Sequence, residues 1–145
     1  FRGPGALGRG TVKGVPLQWS DTSNVVWKTA LPGPGASSPI TFGKRVFLTC
    51  FTGYAVSSSE PGSLDSLKRH LLCLDPADGR LLWNTAVPAE LPEQDRIRED
   101  HGYASSTPVA DAERVYTFFG RSGVFAFSHE GKQLWRTEVG STLNG

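Results

Sequence analysis

Apolar positions along this chain gather in short runs broken by Gly, Pro, Asp and Asn. No run combines helical length with a 3.6-residue period, so the pattern predicts strands joined by tight turns. Residues 71–87 show the unit best: an apolar stretch LLCLD, the turn PADGR, and a second stretch LLWNTAV carrying a tryptophan. Residues 124–139, VFAFSHEGKQLWRTEV, repeat it, and residues 25–31, VVWKTAL, repeat its second half alone. The three tryptophans stand 56 residues apart (from 27 to 83) and 52 apart (from 83 to 135). Such a period marks repeated supersecondary units, each too small to bury its own apolar face and dependent on stacking for a core.

Taken in order, residues 1–24 form a Gly- and Pro-rich lead-in expected to drape over neighbouring structure. Residues 25–31 read as a strand ended by Pro32-Gly33-Pro34-Gly35. Two strands at 37–42 and 45–51 meet at Gly43-Lys44, a hairpin signal. A polar insertion, 52–69, precedes strands at 71–75 and 81–87. A second insertion, 88–101, is dense with charge and has the capacity for a short helical turn. Strands at 103–110, 114–119, 124–127 and 133–139 then repeat the scheme.

Each full unit thus holds four strands in a meander, and radially repeated four-stranded sheets are the blades of a β-propeller. The expected fold is all-β: a propeller segment of two four-stranded antiparallel blades, at 36–88 and 102–139. Residues 25–31 would be an orphan outer strand, and 140–145 the start of a further blade. Known propellers have at least four blades, so this segment is expected to be the N-terminal part of a ring of roughly seven or eight.

Composition adds limits rather than chemistry. Apolar and charged fractions are those of a soluble globular chain. A formal net charge of +1 gives no reason to expect nucleic-acid or anionic-membrane binding. No apolar run is long enough to span a bilayer. The chain starts at Phe1 and contains no Met, so a trimmed segment is expected and the missing signal peptide says little about location. Cys50 and Cys73 fall on consecutive strands, where two buried thiols or a cross-strand disulfide are both open. No Cys or His partners stand at zinc-ligand spacing.

In a meander the loops after the second and fourth strands emerge on one face of the disc. Insertions 52–69 and 88–101 therefore share a face, and the opposite face carries only minimal turns. Long polar loops on a rigid scaffold are where binding concentrates. The candidate binding face centres on Glu99, Asp100, His101 and Tyr103, just before an innermost strand. Carboxylates beside a His suit cation binding or acid–base work, and equally suit a solvated charged loop. Ser105, Ser106 and Thr107 match Ser37 and Ser38, each group followed by a proline, and this recurrence favours an architectural role. Asp78-Gly79 and Glu130-Gly131 supply the positive φ of tight turns. No nucleophile elbow or phosphate loop is present.

The blade ending in DPADGRLLWNTAV, with the later HEGKQLWRTEV, resembles the repeat of pyrroloquinoline-quinone-type propellers. The opening FRGPG, NVVWKTALPG, SSPITFGKRVFLT and YASSTPVADAERVYTFFG look like secreted quinoprotein-like propellers of environmental bacteria such as planctomycetes. The resemblance implies that Trp27, Trp83 and Trp135 pack between adjacent blades, each indole N–H finding a partner, rather than stacking a ligand. It implies a periplasmic or secreted protein. The same repeat serves quinone- and calcium-dependent alcohol and sugar dehydrogenases, and also a cofactor-free scaffold lipoprotein of outer-membrane protein assembly. Some of the dehydrogenases place two adjacent cysteines against the quinone, whereas Cys50 and Cys73 are 23 residues apart (from 50 to 73). No catalytic residue carries over. The leading expectation is therefore a non-catalytic scaffold with an unidentified protein or small-molecule partner on the long-loop face. The alternative is a dehydrogenase whose quinone and calcium site is completed by further blades. A propeller hydrolase or lyase acting on polysaccharide is a third reading without a specific motif.

Overall fold

A computed structural model of the chain describes residues 8, 10, 12–93 and 101–140. Two four-stranded antiparallel sheets make up its regular structure, each in simple meander order. The first blade holds β1 (Ile40–Phe42), β2 (Arg45–Thr52), β3 (Lys68–Leu74) and β4 (Leu81–Pro88). The second holds β5 (Val109–Ala110), β6 (Arg114–Phe118), β7 (Val124–Ser128) and β8 (Gln133–Thr137). Among the described residues the only helical pieces are 3-10 turns, such as Leu64–Ser66 and Gly120–Ser122. The protein is an all-β partial propeller.

Strand alternation creates the core between the blades rather than within either. In the first blade Phe47 pairs with Cys73, which pairs with Trp83, so these three share one face. That face packs onto Val115, Phe119, Phe125 and Phe127 of the second blade in a single buried cluster. Leu71 and Val87 complete it. Neither sheet could bury these residues alone.

The tryptophans clamp successive units. The Trp83 indole N–H donates to the His129 carbonyl at 2.9 Å, and the Thr85 hydroxyl to the Gly131 carbonyl at 2.6 Å. One repeat earlier, Trp27 donates to the Pro76 carbonyl at 2.9 Å and Thr29 to the Gly79 carbonyl at 2.6 Å. Both acceptor glycines have positive φ, and a Cβ on Gly131 would lie 2.7 Å from the Trp83 ring. Glycine is needed there both for its backbone conformation and for the ring's approach.

Residues 25–31, expected as an orphan strand, have no strand beside them among the described residues to form a ladder, and they dock through side chains. Two strand bounds are corrected. The inner strands are short, β1 starting at Ile40 and β5 at Val109. The backbone before them bonds between units instead, Ala36 N–H donating to the Ala104 carbonyl at 3.0 Å and Ser38 N–H to the Thr107 hydroxyl at 3.1 Å. Finally, Lys68 and Arg69 belong to β3 rather than to the polar insertion, Arg69 being buried.

Candidate functional site

The described parts of the long connections, 53–67, 89–93 and 101–108, emerge on one face with the turn at 120–123, because each follows a second or fourth strand of the meander. Their shared floor is a small apolar cluster of Phe51, Ala55, Leu67, Tyr103 and Ala104. The Tyr103 ring meets Phe51 edge-on at 5.4 Å and Tyr54 at 5.8 Å. Gly102, at φ 70°, lets the chain run close over Phe51, where a Cβ would sit 3.0 Å from the ring.

Arg69 is the polar centre of this junction. It lies on the face of β3 that alternation turns toward the second blade, in line with Leu71 and Cys73. Its Nε–H donates to the Tyr103 carbonyl at 2.9 Å and its Nη1 to the Ser122 hydroxyl at 3.0 Å. Its Nη2 forms an ion pair with Glu93, the two side chains being 3 % and 4 % exposed. Ser122 Oγ also accepts from the Glu90 N–H at 2.9 Å. One guanidinium thereby joins a first-blade strand, the entry to the second blade, its β6–β7 turn and the linker between blades.

A cavity of about 190 Å3 opens against this network, lined by Arg69, Glu93, His101, Ser105, Ser106 and Phe119, among others. A second, of about 230 Å3, is lined by Pro34, Gly35, Ala36 and Phe51 and shares His101 and Gly102 with the first.

Of the residues singled out from sequence, His101 is exposed and lines both cavities. Tyr103 lines the first but is 4 % exposed, with its ring in the apolar floor and its carbonyl committed to Arg69. Glu99 and Asp100 lie outside the described residues. Ser37 is tied to the Thr49 backbone, accepting from its N–H at 3.0 Å, and the Ser106 carbonyl accepts from the Thr49 hydroxyl at 3.4 Å. Arg69 and Glu93 were not singled out. Their available signal was an arginine at an inward position of the alternation in KRHLLCL.

The cysteines lie elsewhere. Cys50 pairs with His70 and Cys73 with Phe47, three positions apart along the ladder and so on opposite faces of the sheet. Both are free and buried, which excludes a disulfide between them in this fold. Burial pushes both thiols up, Cys73 to about 11. Among the described residues no three His, Cys, Asp or Glu side chains gather as metal ligands. Both cavities also fall short of the ~300 Å3 at which cofactor-sized sites begin. The described residues therefore do not by themselves build a quinone and calcium site.

No helix among them is long and apolar enough to cross a membrane. No curated protein matches the chain. One family model, described as outer membrane protein assembly factor BamB, matches residues 10–145.

Proposed function

Because the chain belongs to the family of outer membrane protein assembly factor BamB, a family of quinoprotein-like propeller repeats, we propose that it is a binding scaffold whose long-loop face engages a protein partner. The observation that carries this reading is the junction centred on Arg69. A buried, multiply bonded guanidinium holds loops from both blades in one arrangement over an apolar floor. Among the described residues the strand connections on the opposite face are short turns at 43–44, 75–80, 111–113 and 129–132. A rigid base beneath long loops is the ordinary construction of a recognition surface.

The protein acts by presenting a surface, and no chemical step is assigned to its residues. With this reading goes export to the periplasm or beyond the cell. The quinone-dependent alternative gains no specific support from the side chains described above.

The test is site-specific photocrosslinking in the native cell. A crosslinker at Ser57 or His101, on the long-loop face, is expected to yield a discrete adduct that the same group at Asp78, on the short-turn face, does not. Equal adducts from both faces, or none from either, would remove the assignment. Fractionation of the same cells checks the location, and recovery of the chain in the cytoplasm would overturn that part.

A further inference from the structure

Beyond the surface it presents, we propose that the first blade carries a nucleophilic hydroxyl. Thr52, with His70 as its base and Asn84 orienting that base, takes an acyl group from an anionic activated donor of the acyl phosphate class. The site lies on the face of β3 turned away from the second blade and stands apart from the partner reading.

The geometry is that of a nucleophile, a base and an orienting group, each from a different strand. Thr52 ends β2, His70 lies in β3 and Asn84 in β4. The Thr52 hydroxyl stands 2.8 Å from His70 Nε2, and His70 Nδ1 stands 2.8 Å from Asn84 Oδ1. An amide oxygen only accepts, so Nδ1 carries the proton of the neutral imidazole and Nε2 accepts from the Thr52 hydroxyl. Alternation puts Leu72 and Leu74 on the same face of β3, so an imidazole bonded at both nitrogens stands in an otherwise apolar row.

Access and charge complete the site. His70 is buried, whereas Thr52 is half-buried and Asn84 exposed, so the base is shielded between partners that solvent reaches. A Cβ on Gly33 would sit 3.1 Å from the Thr52 methyl, so the chain at Gly33 crowds that methyl while the hydroxyl meets His70. Lys68 pairs directly with Thr52 in the ladder, which puts their Cβ atoms about 4.5–5.5 Å apart on this face. It is exposed and has no ion pair or hydrogen bond from its ammonium among the described residues. A free cation beside the nucleophile favours a donor that carries negative charge.

In the step, Thr52 Oγ attacks the carbonyl carbon of the donor, and its proton passes to His70 Nε2. The bond from that carbon to the phosphate oxygen then breaks, phosphate leaves with the electron pair, and His70 returns the proton to it. The products are a threonine ester and inorganic phosphate, and nothing is oxidised or reduced. Asn84 is a positioning residue, since it acts only through the imidazole.

The experiment treats the whole chain with acetyl phosphate, and with p-nitrophenyl acetate as a neutral donor, and locates acetyl groups by peptide mass spectrometry. Hydroxylamine releases an ester at Thr52 and spares lysine amides. Thr52 is expected to acetylate ~100-fold faster than Ser57 or Ser59, exposed residues whose hydroxyls bond to each other at 2.9 Å. His70→Gln should remove that advantage, Thr52→Ser should keep it, and Thr52→Val should leave no releasable acetyl group at the site. Asn84→Leu should lower the rate as well, and Asn84→Asp, which keeps an acceptor, should restore it, a pattern that a merely structural role would not give. Lys68→Gln is expected to slow acetyl phosphate about 10-fold more than p-nitrophenyl acetate. Should His70→Gln fail to fold, the two Asn84 variants, at an exposed position, still decide. Acetylation of Thr52 no faster than that of Ser57, or equally fast without the imidazole, would overturn the proposal. Equal slowing of both donors by Lys68→Gln would overturn the anionic class of donor.

Discussion

Arg69 and Glu93 hold opposite charges together away from water, and removing either leaves the other uncompensated. Arg69→Ala or Glu93→Ala is expected to destabilise the fold by about 3–5 kcal/mol. Replacing both by Met and Leu should cost far less, and urea unfolding of the three variants checks the order. The thiols make a second prediction. Burial holds Cys73 neutral up to about 11, against 9.0 for its ordinary value. A raised folded value means that its contribution is complete below the unfolded pKa and is lost as pH rises between the two. Unfolding midpoints are therefore expected to fall across that alkaline window, less so in Cys73→Ala. At mildly alkaline pH, a thiol reagent should label neither cysteine until denaturant is added. Asp111 has the opposite sign. The Glu113 N–H, the Tyr116 hydroxyl and the Arg114 N–H hold its carboxyl below the ordinary 3.8. Its contribution is complete above that value and lost as pH falls through the lower, folded one. Asp111→Asn should flatten that part of the acid unfolding profile.

Blade contact depends on tryptophan, threonine and glycine acting as one element. Gly131→Ala forces a left-handed residue and a clash with the Trp83 ring, and is expected to cost about 1–3 kcal/mol. Trp83→Ala should cost about 3–5 kcal/mol, as the ring packs against the inter-blade cluster. Trp135 is 39 % exposed and its substitution should cost less. The recurrence of tryptophan at 27, 83 and 135 was plain in the sequence, whereas the threonine two residues after each was not singled out. The turn each pair meets was not plain either, because Trp83 and its acceptor are 46 residues apart. Strand order and most strand bounds were also legible, since alternation and turn residues are local signals. Pairing is not local, which is why residues 25–31 have strand composition and no ladder.

For the molecule as a whole, the two blades are unequally covered. The Trp83 face of the first is sealed by the second, while β8 is exposed along its length, as are Phe118 and Val139. Amide exchange is expected to be slower in β3 and β7, each paired on both sides, than in the edge strands β4 and β8, with the fully exposed β8 exchanging first. Uniform protection across both sheets would contradict the asymmetry.

Periodicity, turn residues and the spacing of the tryptophans were enough to establish an all-β array of four-stranded units with its long loops on one face. Those features follow from side-chain direction along a strand and from the parity of a meander, which any stretch of sequence carries within itself. The polar centre of the site was not readable in this way. Arg69 looked like the end of a polar insertion, and Glu93 like one acid in a charged linker. Their pairing, their burial and the cavity beside them arise only when one blade closes over the other, bringing residues 24 positions apart into contact and largely out of reach of bulk solvent. A charge's partner and its solvation depend on distance in space, and packing sets both.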